Sequence, residues 1–424
     1  MRSRKGFTAI LEDPVGDKGR NTPLSPESKG PRSNPRLHLA LADTEPRNYA
    51  VRANPRGPKR TEGNMPITTI AERRNVLGAL AVLACLGLAL AGCEAEEPEP
   101  EPEPDPDHEP DFGWTSMTDV PEARTEVSVT HDGERIYMIG GFVEPDEDYD
   151  GDRAPAAEDM YVYDPAEDEW DNLGPIPQPT HHAGFVHIDG KLYIFGGYYD
   201  NSFNPIDEVH IYDIDAGEWS EGEPMPTARG ALAYTVHEGR IHAIGGTVED
   251  IDDLDHDEHN TDSPDSSVGT HEIYDPEADA WERSEPMPTV RNHHAAKAID
   301  GRIVVTAGRA GDDFTMTVTE FHDPETGEWR EGADLPTGRS GVAAEVLDGT
   351  MYLFGGETFD EGEERTFADA ERYDPEEDRW DIVEPMPTAR HGLGAASVDG
   401  HIYVISGGPD PGFSFGTANE RYTP

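Results

Sequence analysis

Residues 182–226 show how apolar and polar positions are laid out along this chain. The runs are His182-Ala183-Gly184-Phe185-Val186-His187-Ile188, Lys191-Leu192-Tyr193-Ile194-Phe195, Glu208-Val209-His210-Ile211-Tyr212-Asp213, and a last run from Trp219 to Pro224-Met225-Pro226. Short alternating runs of this kind fit strands with one face in a core, so four strands are expected here. Asp189-Gly190 separates the first two runs, and Gly196-Gly197 ends the second.

The unit recurs. Trp114, Trp170, Trp219, Trp281, Trp329 and Trp380 stand at the same place in successive copies, at intervals of 56, 49, 62, 48 and 51 residues. A period near 50 with strand-like filling predicts the blades of a β-propeller, with length variation confined to one loop per repeat. Asp-Gly pairs at Asp132-Gly133, Asp189-Gly190, Asp300-Gly301, Asp348-Gly349 and Asp399-Gly400, with Glu238-Gly239 as variant, predict tight type I′ hairpins. The doublets Gly140-Gly141, Gly196-Gly197, Gly245-Gly246, Gly355-Gly356 and Gly407-Gly408, with Ala307-Gly308 departing, are expected to end the second strand where blades crowd. Burying one Trp is worth roughly 4–6 kcal/mol as an upper bound, which assigns the six a structural role.

A Gly-Gly pair, then Tyr-Asp-Pro beginning at Tyr163, Tyr274 and Tyr373, then Trp a few residues later, resembles the kelch repeat over residues 112–424. The last copy stops at Glu420-Arg421-Tyr422-Thr423-Pro424, after its third strand, while Trp114 with Asp119-Val120-Pro121 looks like a fourth strand left at the front. Pairing the two removes an open edge. The fold expected is therefore all-β: a six-bladed kelch-type propeller of four-stranded antiparallel blades, closed by its N-terminal strand.

Three zones precede the ring. Residues 1–64 are rich in Pro and Arg without periodicity, as in a disordered or spurious extension. Residues 65–92 hold Arg73-Arg74, an apolar run from Val76 to Ala91, and a small-residue site before Cys93, the layout of an export signal. Leu90-Ala91-Gly92-Cys93 resembles a lipoprotein lipobox, which implies lipidation at Cys93, and Arg73-Arg74-Asn75-Val76-Leu77 resembles a twin-arginine signal. The apolar run falls short of the roughly 20 residues that span a bilayer. Residues 93–111 alternate Glu with Pro98, Pro100, Pro102 and Pro104, an extended stalk. The expected location is the outer side of the cell envelope, held by lipid alone.

Charge narrows the partners. Of 33 basic and 88 acidic residues, 18 and 80 lie beyond Gly92, a formal balance of −62 that excludes nucleic acid. Only Lys191 and Lys297 are lysines in that stretch. A carboxylate-rich, lysine-poor surface spread over all blades resembles that of proteins from high salt, where screening is short. A monomer is expected.

Candidate chemistry falls at one mouth of the ring. Arg124, Arg229, Arg291, Arg339 and Arg390 each follow a strand-closing Pro by three residues, and Thr180 breaks the series. Such a ring suits a carboxylate ligand, and the family pattern also uses this arginine to bind backbone carbonyls or nearby acids. His181-His182, His293-His294 and His391 could bind a transition metal, although histidine is routine there in kelch repeats. Asp146, Asp148, Asp150 and Asp152, with Gly151, form an alternating-carboxylate pattern that suits Ca²⁺, but the twelfth position is Ala157 and Glu158 comes one residue late, so no cofactor is expected and a looser calcium loop is the alternative. The acidic loop from Thr247 to Thr270 reads as solvated and mobile. Gly412-Phe413-Ser414-Phe415-Gly416 matches a nucleophile elbow in letters only.

Two functions follow. The first is a noncatalytic binding propeller for a protein or glycan. The second is a sugar-active enzyme resembling sialic acid epimerases, with Arg124, Arg229, Arg291, Arg339, Arg390, His182, His293 and His294 around an anionic sugar. Chemistry of the galactose oxidase type is disfavoured, because its Cys-Tyr crosslink has no cysteine to draw on from Glu94 onward.

Overall fold

A computed structural model describes residues 112–145, 149, 153–360 and 362–424. Cys93, the three zones before the ring, and Asp146, Asp148, Asp150 and Asp152 lie outside the described residues.

Six four-stranded antiparallel sheets surround an axis. Blade one comprises Ser128–His131, Ile136–Ile139, Asp159–Asp164 and Glu169–Pro175, and blades two to five repeat that order outward from the axis. Blade six takes Gly394–Val398, His401–Ile405 and Asn419–Thr423 from the end of the chain and Gly113–Ser116 from its front. Gly113 pairs with Thr423 and Ser116 with Glu420, so the expected closure is present. The innermost strands of neighbouring blades touch all the way round, blade six against blade one included.

The core lies between blades, because each sheet buries both faces against its neighbours. Val129, Ile136 and Met138 of blade one pack with Ala396, Val398, Tyr403 and Ile405 of blade six in one apolar cluster. Tight hairpins form where expected, with Asp189 and Gly190 at φ 49° and 77°. Asp132-Gly133 differs, since its connection is longer and the Asp132 Oδ1 accepts the amides of Glu134 (2.9 Å) and Arg135 (2.7 Å).

The tryptophans are structural but less deeply set than expected. Only Trp380 is buried, and the other five are half-buried on outermost strands. Most of them clamp adjacent blades: the indole N–H of Trp281 donates to the Glu223 carbonyl (2.8 Å), that of Trp329 to Glu285 (2.9 Å) and that of Trp170 to Thr118 (3.0 Å).

The glycine doublet has the expected cause in blade two, where a Cβ on Gly196 would meet the Arg229 carbonyl at 2.7 Å. In blade six the turn is displaced by one residue. Ser406 and Gly407, at φ 60° and 100°, hold the positions of Gly140 and Gly141, and Gly408 pairs with His391. The acidic loop is folded: a short turn at Ile251–Asp253 and one helical turn at His256–His259 are capped by Asp250 and Asp255, and Asn260 donates to the carbonyls of Met287 and Pro288.

Candidate functional site: the axial mouth

The connection from each outermost strand to the next innermost strand runs to the axis as three residues, for example Arg124-Thr125-Glu126. The first of the three does not face the mouth. Arg124, Arg229, Arg291, Arg339 and Arg390 are at most 1% exposed. Arg229, Arg291, Arg339 and Arg390 pair with Glu272 (2.9 Å), Glu320 (2.6 Å), Glu371 (2.5 Å) and Glu420 (2.5 Å), glutamates at one repeat position on the third strand. Arg124 instead pairs with Glu122 (2.8 Å) and lies over the Tyr161 ring. The remaining guanidinium donors reach carbonyls, as in Arg229 Nη1 to Gly245 (2.8 Å) and Thr270 (3.1 Å). The ring of ligand-binding arginines is thus corrected to a set of blade-internal struts: five buried cations whose desolvation is offset by paired carboxylates and backbone carbonyls. In blade two, where Thr180 replaces the arginine, His210 replaces the glutamate.

The third residue of each connection does face the axis. Glu126, His182, Ala231, His293, Gly341 and Gly392 occupy equivalent positions and all adopt φ of 50–65°. Their backbones form a belt: His182 donates to Glu126 (3.4 Å), Ala231 to His182 (3.1 Å), His293 to Ala231 (3.0 Å), Gly341 to His293 (2.9 Å) and Gly392 to Gly341 (3.0 Å). Val127 completes the circle on Gly392 (3.2 Å). Left-handed backbone is relaxed for glycine and strained by about 1–3 kcal/mol for other residues, so Glu126, His182 and His293 hold that conformation where the surrounding belt enforces it.

Their side chains join a polar circuit. Glu126 meets His182 Nε2 at 3.1 Å and His391 Nε2 at 3.6 Å; His391 meets Glu357 at 3.4 Å; Glu357 meets Arg309 at 3.0 Å. Arg309 Nη2 donates to His293 Nε2 (3.0 Å), and the His182 and His293 rings sit edge to face at 4.7 Å. Because Arg309 donates to Nε2, the His293 proton is on Nδ1, which contacts Asn292 Oδ1 at 2.5 Å; the Asn292 amide in turn donates to Ser267 (2.6 Å). Burial pushes the Glu126 carboxyl up, but the facing His182 outweighs it and holds the group well below its ordinary range. Burial and the Arg309 charge keep His293 neutral. Glu126, His182 and His293, and separately Glu126, Glu357 and His391, place their ligating atoms within 4.8 Å of one another.

His294 is more deeply set than its neighbour: it is buried close against Gly245, and burial holds it well below its ordinary pKa. His182, His293 and His294 all line the axial cavity, of about 120 Å³.

A wider cavity of about 570 Å³ opens beside the circuit, walled by Tyr198, Phe203, Phe314 and Phe359 with Arg309 and Asn292 among its polar groups. Arg309 lies over the rings of Phe314 and Phe359, and Arg153 over Phe203. Tyr199, Phe203 and Phe413 are 49%, 41% and 52% exposed on loops of this face. Phe413 comes from the segment that mimics a nucleophile elbow; its ring packs on Phe142, and Ser414 donates to its own loop at the Asp410 carbonyl.

Against this geometry, a model described as the KLHDC2/KLHL20/DRC7 Kelch-repeats domain matches residues 113–283, and one described as Kelch motif matches 338–387. The matched stretches hold blades one to three and blade five, which are kelch repeats. Similar kelch proteins include Kelch repeat and BTB domain-containing protein 12 of Danio rerio, 25% identical over 216 residues, covering 50% of this chain and 34% of that protein. Beta-scruin of Limulus polyphemus is 32% identical over 84 residues, covering 20% and 8%, and Kelch-like protein terF of Aspergillus terreus is 34% identical over 86 residues, covering 20% and 18%. The chain thus spans about a third or less of the length of these relatives. Among the described residues no helix is long and apolar enough to cross a membrane.

Glu126, Arg309, Glu357, Phe203, Phe314 and Phe359 escaped the reading of the sequence. One signal was available in the kelch register. The residue after each doublet is Phe142, Tyr198, Thr247, Arg309, Glu357 or Gly408, so a single column holds much of the chemistry of the mouth.

Proposed function

We propose that this kelch propeller is a binding module that takes a protein or glycan partner at the axial mouth, held outside the cell by a lipid on Cys93. The observation that carries the reading is the patch of Tyr199, Phe203 and Phe413, exposed beside the cavity that Arg309 and Phe314 wall. Exposed aromatics flanked by guanidinium are the usual anchors of recognition surfaces, and on a chain of net charge −55 such a patch stands apart from the acidic surround. The kelch fold is itself consistent with protein binding.

The test is capture from native membranes at high salt, together with a glycan panel, with wild type against the Phe203→Ser, Phe413→Ser pair. A specific partner retained by wild type and lost by the pair supports the mouth; equal capture by both removes it. Anchoring is tested apart, by mass spectrometry of the mature N-terminus and by release of Cys93→Ala from the membrane.

A sugar-active enzyme is the second reading, favoured by one observation: the Glu126 carboxylate stands 3.1 Å from His182 Nε2 beside the cavity that holds Arg309. Arg309 replaces the buried arginines as the group that would meet an anionic sugar. Proton NMR of sialic and uronic acids with wild type and Arg309→Ala decides it, and unchanged spectra with wild type reject the enzyme.

A further inference from the structure

A second histidine cluster lies away from the mouth, between blades three and four. His242 is on the second strand of blade three, His271 on its third, and His322 on the third strand of blade four. All three are at most 1% exposed. Their ring centroids are 5.2 Å apart for His242 and His271, 4.5 Å for His271 and His322, and 6.4 Å for His242 and His322. One nitrogen from each lies within 4.8 Å of the others, and the Trp329 ring packs against His322 at 4.9 Å, tilted by 48°.

The repeat supplies its own control. The position of His242 is Tyr137, Tyr193, Tyr352 and Tyr403 in blades one, two, five and six; that of His322 is Tyr163, Tyr212, Tyr274, Tyr373 and Tyr422 in the other five. Where both are tyrosine, the pair packs across the blade boundary, as Tyr193 with Tyr274 (6.1 Å) and Tyr403 with Tyr163 (5.8 Å). The third-strand tyrosine gives its hydroxyl to an aspartate five residues on in Tyr163–Asp168, Tyr274–Asp279 and Tyr373–Asp378. In blade four that aspartate is Gly327. One boundary has therefore exchanged a tyrosine pair and its hydroxyl partner for two imidazoles and added a third.

Packing alone does not account for the exchange. His242 Nδ1 meets His271 Nε2 at 2.9 Å and His322 Nε2 meets Ser284 Oγ at 3.2 Å, yet His242 Nε2 and His322 Nδ1 are buried with no partner. Among the described residues no carboxylate oxygen lies within ion-pairing distance of the three rings, in contrast to the axial circuit. Unpaired buried polar atoms each cost about 1–3 kcal/mol. Three imidazoles buried without a facing acid are suited to the neutral form, whose lone pairs ligate.

We propose that His242, His271 and His322 bind a divalent transition-metal ion of the zinc class as a staple between blades three and four. Imidazole nitrogen suits Zn²⁺ at about 2.0–2.1 Å, a distance that small ring rotations reach from the present spacing, and the Ser284 hydroxyl or a water completes four ligands. The site adds a bond between two blades that already meet through the axial belt and side-chain packing, so the ion acts on stability.

The experiment uses chelator-stripped full ring in about 1 M salt, where screening within about 3 Å suppresses loose binding to surface carboxylates. Zn²⁺ is titrated by calorimetry and melting, and Co²⁺ by its visible spectrum. Wild type is expected to bind one ion per chain, to gain at least about 3 °C in Tm, and to show tetrahedral Co²⁺ bands. His242→Tyr, and the pair His322→Tyr, Gly327→Asp, restore what the other blades carry; each is expected to weaken binding by more than the ~10–100-fold typical of an outer-shell change. His293→Ala, at the mouth, is expected to bind as wild type does. The proposal is overturned if wild type takes up neither ion, if the tyrosine variants bind as tightly as wild type, or if His293→Ala alone abolishes binding. Should a tyrosine variant fail to fold, histidine NMR of wild type decides: Zn²⁺ must shift three buried imidazoles, and their standing still rejects the site.

Discussion

Two groups of three histidines occupy this ring, and they solve opposite problems. At the axis, His182, His293 and His391 are interleaved with Glu126, Glu357 and Arg309, so their ring nitrogens have partners. Between blades three and four, His242, His271 and His322 have neither acids nor enough partners. The first arrangement is complete as it stands and faces a cavity; the second is incomplete and sealed. Histidine content alone says little: what the neighbours leave unsatisfied separates a recognition surface from a coordination site.

The largest expected effect falls on the framework both clusters share. Arg339→Ala strands Glu371 as an unpaired buried charge and should remove about 3–5 kcal/mol of unfolding free energy by denaturant titration. The same change at exposed Arg379, a surface pair with Asp381, should stay within about 1 kcal/mol.

Acid should separate the two clusters next. His242 and His322 have folded pKa values near 3 and 4, below the unfolded value near 6.5, so the unfolded chain binds more protons between those limits and stability falls as pH drops through that window. Each ring contributes a slope of about 1.4 kcal/mol per pH unit. The double variant His242→Tyr, His322→Tyr should flatten the pH dependence of Tm from 6.5 to 4. Glu126 acts lower: its carboxylate is stabilising above the unfolded pKa near 4.5, and that contribution is lost as pH falls through the depressed folded value.

Smaller again, Glu126→Gln keeps the shape but removes the charge facing His182 and His391, and should cost about 1–3 kcal/mol in melting while weakening partner capture. Least of all, Phe413→Ser should leave unfolding within about 0.5 kcal/mol and yet reduce partner affinity at least about tenfold in a binding titration.

The ring itself was legible because each of its signals has a local cause that repeats: the Asp189-Gly190 turn, the Gly196-Gly197 doublet, and a lone strand at Trp114 matching a missing one after Tyr422. The sites were less legible, since their chemistry is set by comparison between blades. The arginines stand out as a series, but the matching series Glu272, Glu320, Glu371 and Glu420, with arginine and glutamate lost together at Thr180 and His210, holds the explanation. Glu126 and Arg309 were hidden by belonging to columns whose residue type changes from blade to blade, Glu126 among His, Ala and Gly and Arg309 among Phe, Tyr, Thr, Glu and Gly. His242 and His322 were hidden in the same way among tyrosines, and their convergence depends on which faces of two sheets oppose each other, a relation that periodicity along one chain does not encode.

The seam in blade six bears on how the molecule comes into being. Gly113 must find Thr423, so until the chain's last strand is available the ring stays an arc with two raw flanks, and the join is a long-range contact of the slowest kind. During that interval each unfinished molecule offers hydrogen-bonding edges to its neighbours. A coat of carboxylates keeps such arcs apart by mutual repulsion, which makes the acidity of this protein a safeguard of its assembly as well as of its solubility.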